Sequence, residues 1–386
     1  MKRQSRTWLL LGALWIVISG TAILSAQDGS AQKALALERQ GQNAEAEQAW
    51  QSIARSNPQN AEAFAHLGLI EARQEHYDDA IANYRKALAL NPALPGLQMN
   101  LGLALFKTKD FKDSIKPFTA ELNKHPDDQR LTILLGMAHY GMGDYFVAIP
   151  YLRKAAERDP QSLPLRLALA HSCLWSKQNQ CVLDVYKQIL ALNAESAEAD
   201  MLAGEALEET GDDAGATEQF RAAVRSNPKE PNVHFGLGYL LWTQNHFSEA
   251  AGEFQAELDN DPHHLQARAY LGDSYVHLND YAKALPELEK AVVGDPSFAL
   301  VHLDLGIVYG ENGQKDKAIK ELQKAIALDP KDVAPHWRLA KLYQSTGRKE
   351  DAKAEFAKAS TMNKESLQAS HALYEKLLEA QRSPKQ

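Results

Sequence analysis

Cysteine is nearly absent from the chain: Cys173 and Cys181 are the only two in 386 residues. That excludes a disulfide-dense mini-domain and a paired Cys-x-x-Cys zinc site, so any metal would need histidine and carboxylate ligands. A positive surplus is missing as well. Lys and Arg number 42 against 50 Asp and Glu, a net charge of -8 with no block of like charge, which argues against nucleic acid as a partner. The chain also lacks a GxxxxGK[ST] phosphate loop, HExxH, a GxSxG elbow and a GxGxxG after a strand. What is present is globular in composition, 45% apolar and 24% charged, too apolar for a disordered chain.

Residues 1–26 differ from the rest. Lys2, Arg3 and Arg6 form a basic start, Trp8 to Leu24 carries no charge, and Leu24-Ser25-Ala26 ends in a small residue. This reads as a signal peptide, with an N-terminal membrane anchor at residues 8–24 as the alternative. No Cys follows the apolar run, which argues against a lipoprotein anchor. The expected location is exported, periplasmic or cell-envelope, or else held at the inner membrane by the anchor. Removal of the leader takes away three positive charges and moves the net charge to -11.

From residue 27 onward a strict period governs. Pro58, Pro92, Pro126, Pro160, Pro228, Pro262, Pro296 and Pro330 fall on a 34-residue lattice, with Ala194 the one vacancy between the first and the last of them and no insertion anywhere. Taking the proline as position 32 gives ten units starting at Gln27, Ala61, Pro95, Gln129, Leu163, Ala197, Pro231, Leu265, Ala299 and Val333. Position 8 is small (Gly68, Gly102, Gly136, Gly204, Gly238, Gly272, Gly306), position 20 is mostly Ala, and position 24 is mostly large (Trp50, Tyr84, Phe118, Phe220, Phe254). Leucine recurs at position 7, and Gly41, Gly143, Gly211, Gly313 and Gly347 at position 15 mark a turn. A glycine inside a helix costs about 1 kcal/mol relative to alanine, so position 8 predicts close approach of a second helix. Each unit therefore reads as an antiparallel helical hairpin, and hairpins that cannot bury both faces alone must stack into a solenoid. Residues 367–386 read as a capping helix and tail, with Leu373, Leu377 and Leu378 on one side.

This pattern, over residues 27–366, resembles the tetratricopeptide repeat (TPR) family. The resemblance implies an all-α, right-handed superhelical α-solenoid of helix–turn–helix repeats whose first helices line a concave groove. It implies a protein or peptide partner bound there, without cofactor, metal or small-molecule substrate, and no enzymatic activity. In the family, positions 2, 5, 9, 12 and 13 face that groove. Units three to five then offer Met99, Leu103, Phe106, Ile133, Met137, Tyr140, His171 and Trp175; unit six offers Met201, Glu205 and Glu208; unit seven offers Phe235, Tyr239 and Trp242. An aromatic and Met-lined concavity with an acidic stretch suits a peptide with apolar anchors and some positive charge. The apolar positions also admit plain packing against neighbouring first helices. The Lys/Asn clamp by which some relatives hold a C-terminal carboxylate does not carry over, because Ala65 and Leu69 occupy its first two places.

Several departures invite a reading. Cys173 and Cys181 fall near one helix–helix seam, where the family geometry permits a disulfide, or else two buried thiols acting as small hydrophobes. Glu121 and Glu257 stand where the family has Ala; they either pair with Arg130 and Arg268 of the next units or reach solvent. His234, His302 and His336, with Arg268 between, share position 4 and read as packing residues rather than a metal row. His263 and His264, in a turn, read as facing water. Pro117, Pro150 and Pro286 lie within second helices and predict mild kinks. The function expected is an exported adaptor in cell-envelope assembly; the alternative is a self-associating or membrane-anchored scaffold of a secretion or polysaccharide-export machine.

Overall fold

The computed structural model describes residues 29–192 and 195–382, with side chains described up to Glu365 and at Gln368. The leader at 1–26, the lattice vacancy at Ala194 and the tail beyond Arg382 lie outside the described residues. The chain forms two compact units, Met1–Glu195 and Ser196–Gln386. All regular structure among the described residues is helical.

Five hairpins build the first unit: α1 (Gly29–Arg39) with α2 (Asn43–Ser56), α3 (Ala61–Arg73) with α4 (Tyr77–Leu90), α5 (Leu97–Lys107) with α6 (Phe111–Lys124), α7 (Gln129–Met142) with α8 (Tyr145–Arg158), and α9 (Leu163–Trp175) with α10 (Asn179–Ala191). The second unit repeats the scheme with α11 (Ala197–Glu209) and α12 (Asp213–Ser226), α13 (Val233–Thr243) and α14 (Phe247–Asn260), α15 (Leu265–His277) and α16 (Tyr281–Gly294), α17 (Ala299–Glu311) and α18 (Lys315–Leu328), and α19 (Ala334–Ser345) and α20 (Lys349–Arg382). Within the second unit the first helices α11, α13, α15, α17 and α19 lie side by side. The helix runs unbroken through Pro117, Pro150 and Pro286.

The seam inside each hairpin is the predicted one. A Cβ added to Gly102 would lie 2.5 Å from the Phe118 ring, and one on Gly68 2.7 Å from Tyr84, so the position-8 residue touches the position-24 side chain directly. Position-7 leucines are buried in both units, among them Leu67, Leu135, Leu237 and Leu305. The turn at position 15 is left-handed in all ten hairpins, although glycine fills only five of them. Glu75, Lys109, Lys177, Asn245 and Asn279 take the same positive φ, 57° to 64°, that Gly41 and its equivalents adopt freely.

The proline lattice has a local cause in the residue before it. Asn57, Asn91, Asn227, Asp261, Asp295 and Asp329 each accept a hydrogen bond from the amide two residues on, at 2.9–3.2 Å. The Asx side chain closes the turn while the following proline prevents the second helix from continuing. Unit ten shows the converse: Lys364 stands at position 32, and α20 continues from Lys349 to Arg382 as a single helix. The expected C-terminal capping segment is thus the extension of a repeat helix, not a separate element.

Gly102→Ala is expected to destabilise the fold by about 1–3 kcal/mol through overpacking against Phe118. Lys109→Gly, which relieves a left-handed side-chain residue, is expected to add about 0.5–1 kcal/mol. Urea unfolding of the two variants checks both signs.

Candidate functional site

The residues expected to line the groove do not behave alike. Met99 is 3% exposed and Phe106 7%, so both belong to the core; Phe106 packs edge-on to Phe111 with ring centroids 5.2 Å apart. Their assignment to the groove is corrected, because α5 needs these bulky side chains to fill the space between itself, α6 and α7. Leu103 and Met137 are half-buried against the same cluster, and Ile133 is half-buried as well. At the other end of the first unit an aromatic edge does form. Tyr140 meets His171 (6.3 Å) and Tyr145 (5.8 Å), and Tyr145 stacks on Trp175 (5.9 Å), which is 63% exposed; Phe146, next to Tyr145 in the chain, is exposed too. Directly behind Trp175, Cys173 and Cys181 form a disulfide joining α9 to α10, with Cα atoms 5.8 Å apart.

The second unit brings its expected residues together. Phe235, Tyr239 and Trp242 run along α13, stacked at 6.2 and 5.9 Å, and all three turn towards Tyr270 of α15, 5.1–6.1 Å away. Tyr270 is the centre of the array, and sequence reasoning missed it because position 6 is not a groove position in the family pattern. Met201, Glu205, Glu208, Glu209, Phe220, Asn232, Phe235, Gly236 and Tyr239 enclose a cavity of about 270 Å³ between α11 and α13. No Lys or Arg is among the described residues lining it. Burial first, then the charges of Asp213 and Glu209, push the Glu208 carboxyl above its usual range. The cavity therefore combines aromatic faces with carboxylates that favour a positive charge.

Beside the array, Trp242 donates its indole N–H to Asp273 of α15, and Asp273 hydrogen-bonds Asp304 of α17. Both carboxyls are buried. Burial pushes Asp304 well above the carboxylate range and the Asp273 charge adds to it; burial raises Asp273 too, against the hydrogen bond from Trp242 and the nearby His277.

The charged departures have specific roles. Glu257 does not reach solvent and does not pair with Arg268. It is 2% exposed and accepts from the amides of Asn232 and Phe235, both at 3.1 Å, at the start of α13. Glu121, 7% exposed, takes Lys124 (3.3 Å) and His125 (3.7 Å) of its own helix end, while Arg130 is held by Asp128. Neither expected arginine partner is used, because a side chain at position 27 of a second helix points at the start of its own unit's first helix. His264 is no idle surface residue: its Nδ1 accepts from the Ala267 amide (3.0 Å), and its ring lies 4.9 Å from Phe235.

The position-4 row is a ladder of base–carboxylate contacts. His234, Arg268, His302 and His336 each meet the position-23 carboxylate of their own hairpin, Glu253, Glu287, Glu321 and Glu355, at 2.5–2.6 Å. Lysine at position 26 joins in three units, with Lys290, Lys324 and Lys358 at 2.7–3.4 Å from the same glutamates. Burial pushes Glu355 up, but hydrogen bonds from Lys358 and His336 outweigh it and hold the carboxyl below its usual range. The reading of these histidines as plain packing residues is corrected accordingly.

Stacked hairpins of one 34-residue period, with an aromatic and acidic first-helix face, define an α-solenoid repeat protein. The chain belongs to the tetratricopeptide repeat family: models of that repeat match residues 32–95, 68–129, 99–163, 183–231, 235–298, 311–347 and 334–366. The fold is a protein-interaction module. A TPR repeat-containing protein of Methanocaldococcus jannaschii is 24% identical over 152 residues, 39% of this chain and 27% of that protein, so the match spans about a quarter of that relative's length. Among solved structures, the segment of MamA from residue 41 to its end, from Desulfovibrio magneticus RS-1, is 24% identical with a TM-score of 0.41 over 45% of this chain and 98% of that one. The Cut9–Hcn1 hetero-tetramer of the APC/C is 19% identical with a TM-score of 0.47 over 76% of this chain and 58% of that one.

Glu257→Ala leaves the half-buried amides of Asn232 and Phe235 without their acceptor and is expected to cost about 1–3 kcal/mol. Glu121→Ala, whose partners are half in solvent, is expected to cost about 1 kcal/mol or less. Thermal unfolding of the two variants measures the difference.

Proposed function

We propose that the chain is a non-enzymatic adaptor that binds a segment of a partner protein along its first-helix faces. The observation that carries this reading is the second unit's array of Phe235, Tyr239, Trp242 and Tyr270, flanking a cavity whose charged walls, among the described residues, are glutamates. Half-buried aromatic rings in a row give apolar anchors a surface to cover, and the carboxylates favour a basic residue beside them. Photo-crosslinking from a photoreactive residue at Tyr239, in the cell of origin, is expected to yield a discrete foreign adduct. Its loss in Trp242→Ala, with the thermal transition unchanged, locates the contact on this face; the absence of any foreign adduct at Tyr239 and at Met137 overturns the reading.

A location in the cell envelope belongs to the same proposal. It rests on the basic and then uncharged leader at residues 1–26, and is in keeping with a disulfide between Cys173 and Cys181. Cell fractionation with N-terminal sequencing is expected to find an exported chain beginning near residue 27, and a cytoplasmic chain beginning at Met1 would refute it. The second reading, a self-associating scaffold, draws on the exposed Trp175 and Phe146 edge of the first unit. It requires concentration-dependent mass in light scattering that Phe146→Ser abolishes.

A further inference from the structure

The second unit buries two carboxyl groups against each other behind its aromatic array. Asp273 leaves position 9 of α15 and Asp304 position 6 of α17, and the two side chains hydrogen-bond across the seam between these helices. Two carboxylates have no donor to offer one another, so that bond requires a proton. Among the described residues no hydrogen-bond donor reaches Asp304 Oδ2, and Asp304 is as deeply buried as its neighbour. Asp273 in turn is the acceptor for the Trp242 indole N–H. The chain of contacts thus runs from a shared proton, through Asp273, to an aromatic residue on the face proposed for binding.

We propose that Asp273 and Asp304 hold one proton between them, and that this proton fixes the position of Trp242. With the proton in place, Asp304 donates to Asp273, and Asp273 keeps a single negative charge that the Trp242 N–H and His277 share. Without it, two buried carboxylates at hydrogen-bond distance repel each other, and Asp273 turns towards His277, whose Nε2 is 3.7 Å away on the solvent side. Trp242 then loses its acceptor and moves.

The surroundings fit this assignment. On α15 the pair is faced by His277 and Tyr270; α13 brings Trp242, with Tyr239 next to Tyr270; α19 brings Arg338, whose charge acts on Asp304. The second helices behind present apolar groups: Phe254 of α14 lies against Tyr270, Leu288 of α16 against Gly272, and Leu322 of α18 against Gly306. Burial holds both carboxyls above the ordinary range, which sets the sign of the linkage. A group whose folded pKa is raised contributes stability that is complete below the unfolded pKa and is lost as pH rises through the folded one. The pair is therefore intact on the acid side, and the array loosens as pH rises. This holds whatever the face binds, and so does not depend on the proposed partner.

The test uses the full chain labelled with 5-fluorotryptophan, followed by fluorine NMR from about pH 4 to about pH 10, a span that covers ordinary carboxylate and histidine titration. Trp242→Phe assigns the resonance. The wild-type Trp242 signal is expected to follow one titration with its midpoint above the ordinary carboxylate range. In Asp304→Asn the amide keeps the donor to Asp273 without a titrating proton, and the signal is expected to stay at its acid position throughout. Asp273→Asn makes the same test from the other side should Asp304→Asn fail to fold. His277→Gln is expected to leave a titration in place. A wild-type Trp242 signal that does not move, one that moves identically in Asp304→Asn, or a titration abolished by His277→Gln alone overturns the proposal.

Discussion

Everything in this structure depends on how closely two helices approach at one point per repeat. At position 8 of seven units a glycine leaves no room for a side chain, because the aromatic or leucine side chain at position 24 occupies the space a Cβ would need, and the other three units have alanine there. The contact does three things at once. It buries the largest side chains of each unit, Trp50, Tyr84, Phe118 and Phe254 among them, and apolar burial is the main favourable term in folding. It fixes the separation of the two helices, and so the length of chain needed to turn between them. It also leaves the position-7 leucines and the outer face of the second helix for the next hairpin. An insertion anywhere in the 34 residues would rotate these surfaces out of register, which is why the lattice has a vacancy at Ala194 but no added residue.

The framework was legible because it is carried by residues whose chemistry leaves few options. Proline after Asn or Asp ends a helix and closes a turn, and a small residue opposite a large one means contact. The turn at position 15 was half legible: five glycines announced it, whereas Glu75, Lys109 and Lys177 adopt the same left-handed backbone without any propensity for it. There the hairpin seam on both sides imposes the geometry, and tertiary packing overrides local preference.

The face was harder to read, for a different reason. A groove position in the repeat says where the Cα lies, not how far the side chain reaches. Met99 and Phe106 occupy such positions, yet they fold back into the core. Phe235 and Trp242 occupy the same two positions and, with Tyr239 between them, stay half-exposed, because Tyr270 and Phe254 already fill the space beneath them. The base–carboxylate ladder was hidden by its spacing. A residue at position 4 and one at position 23 are nineteen apart and sit on opposite arms of a hairpin, so no helical period connects them. The usable signal was the recurrence of a base at 4 with Glu at 23 in four consecutive units.

The ladder also clarifies where the framework is weakest. In the unit beginning at Leu163, Arg166 takes position 4 as its counterparts do, but Val185 stands where those units carry glutamate, and two of the buried guanidinium nitrogens, Nε and Nη1, have no partner among the described residues. An unpaired buried charge is costly, whereas the same charge beside a carboxylate is tolerated. This unit also has Val182 in place of the small residue at position 20 and lacks the lattice proline. Two framework elements are thus missing from one hairpin that also holds a poorly partnered arginine, and the chain divides into its two compact units directly after it, at Glu195. In a solenoid each repeat is stabilised mainly by itself and its neighbours, so a weak hairpin is where cooperativity breaks. The covalent link between Cys173 and Cys181 lies in this same hairpin, and it ties together the two helices whose non-covalent seam is poorest.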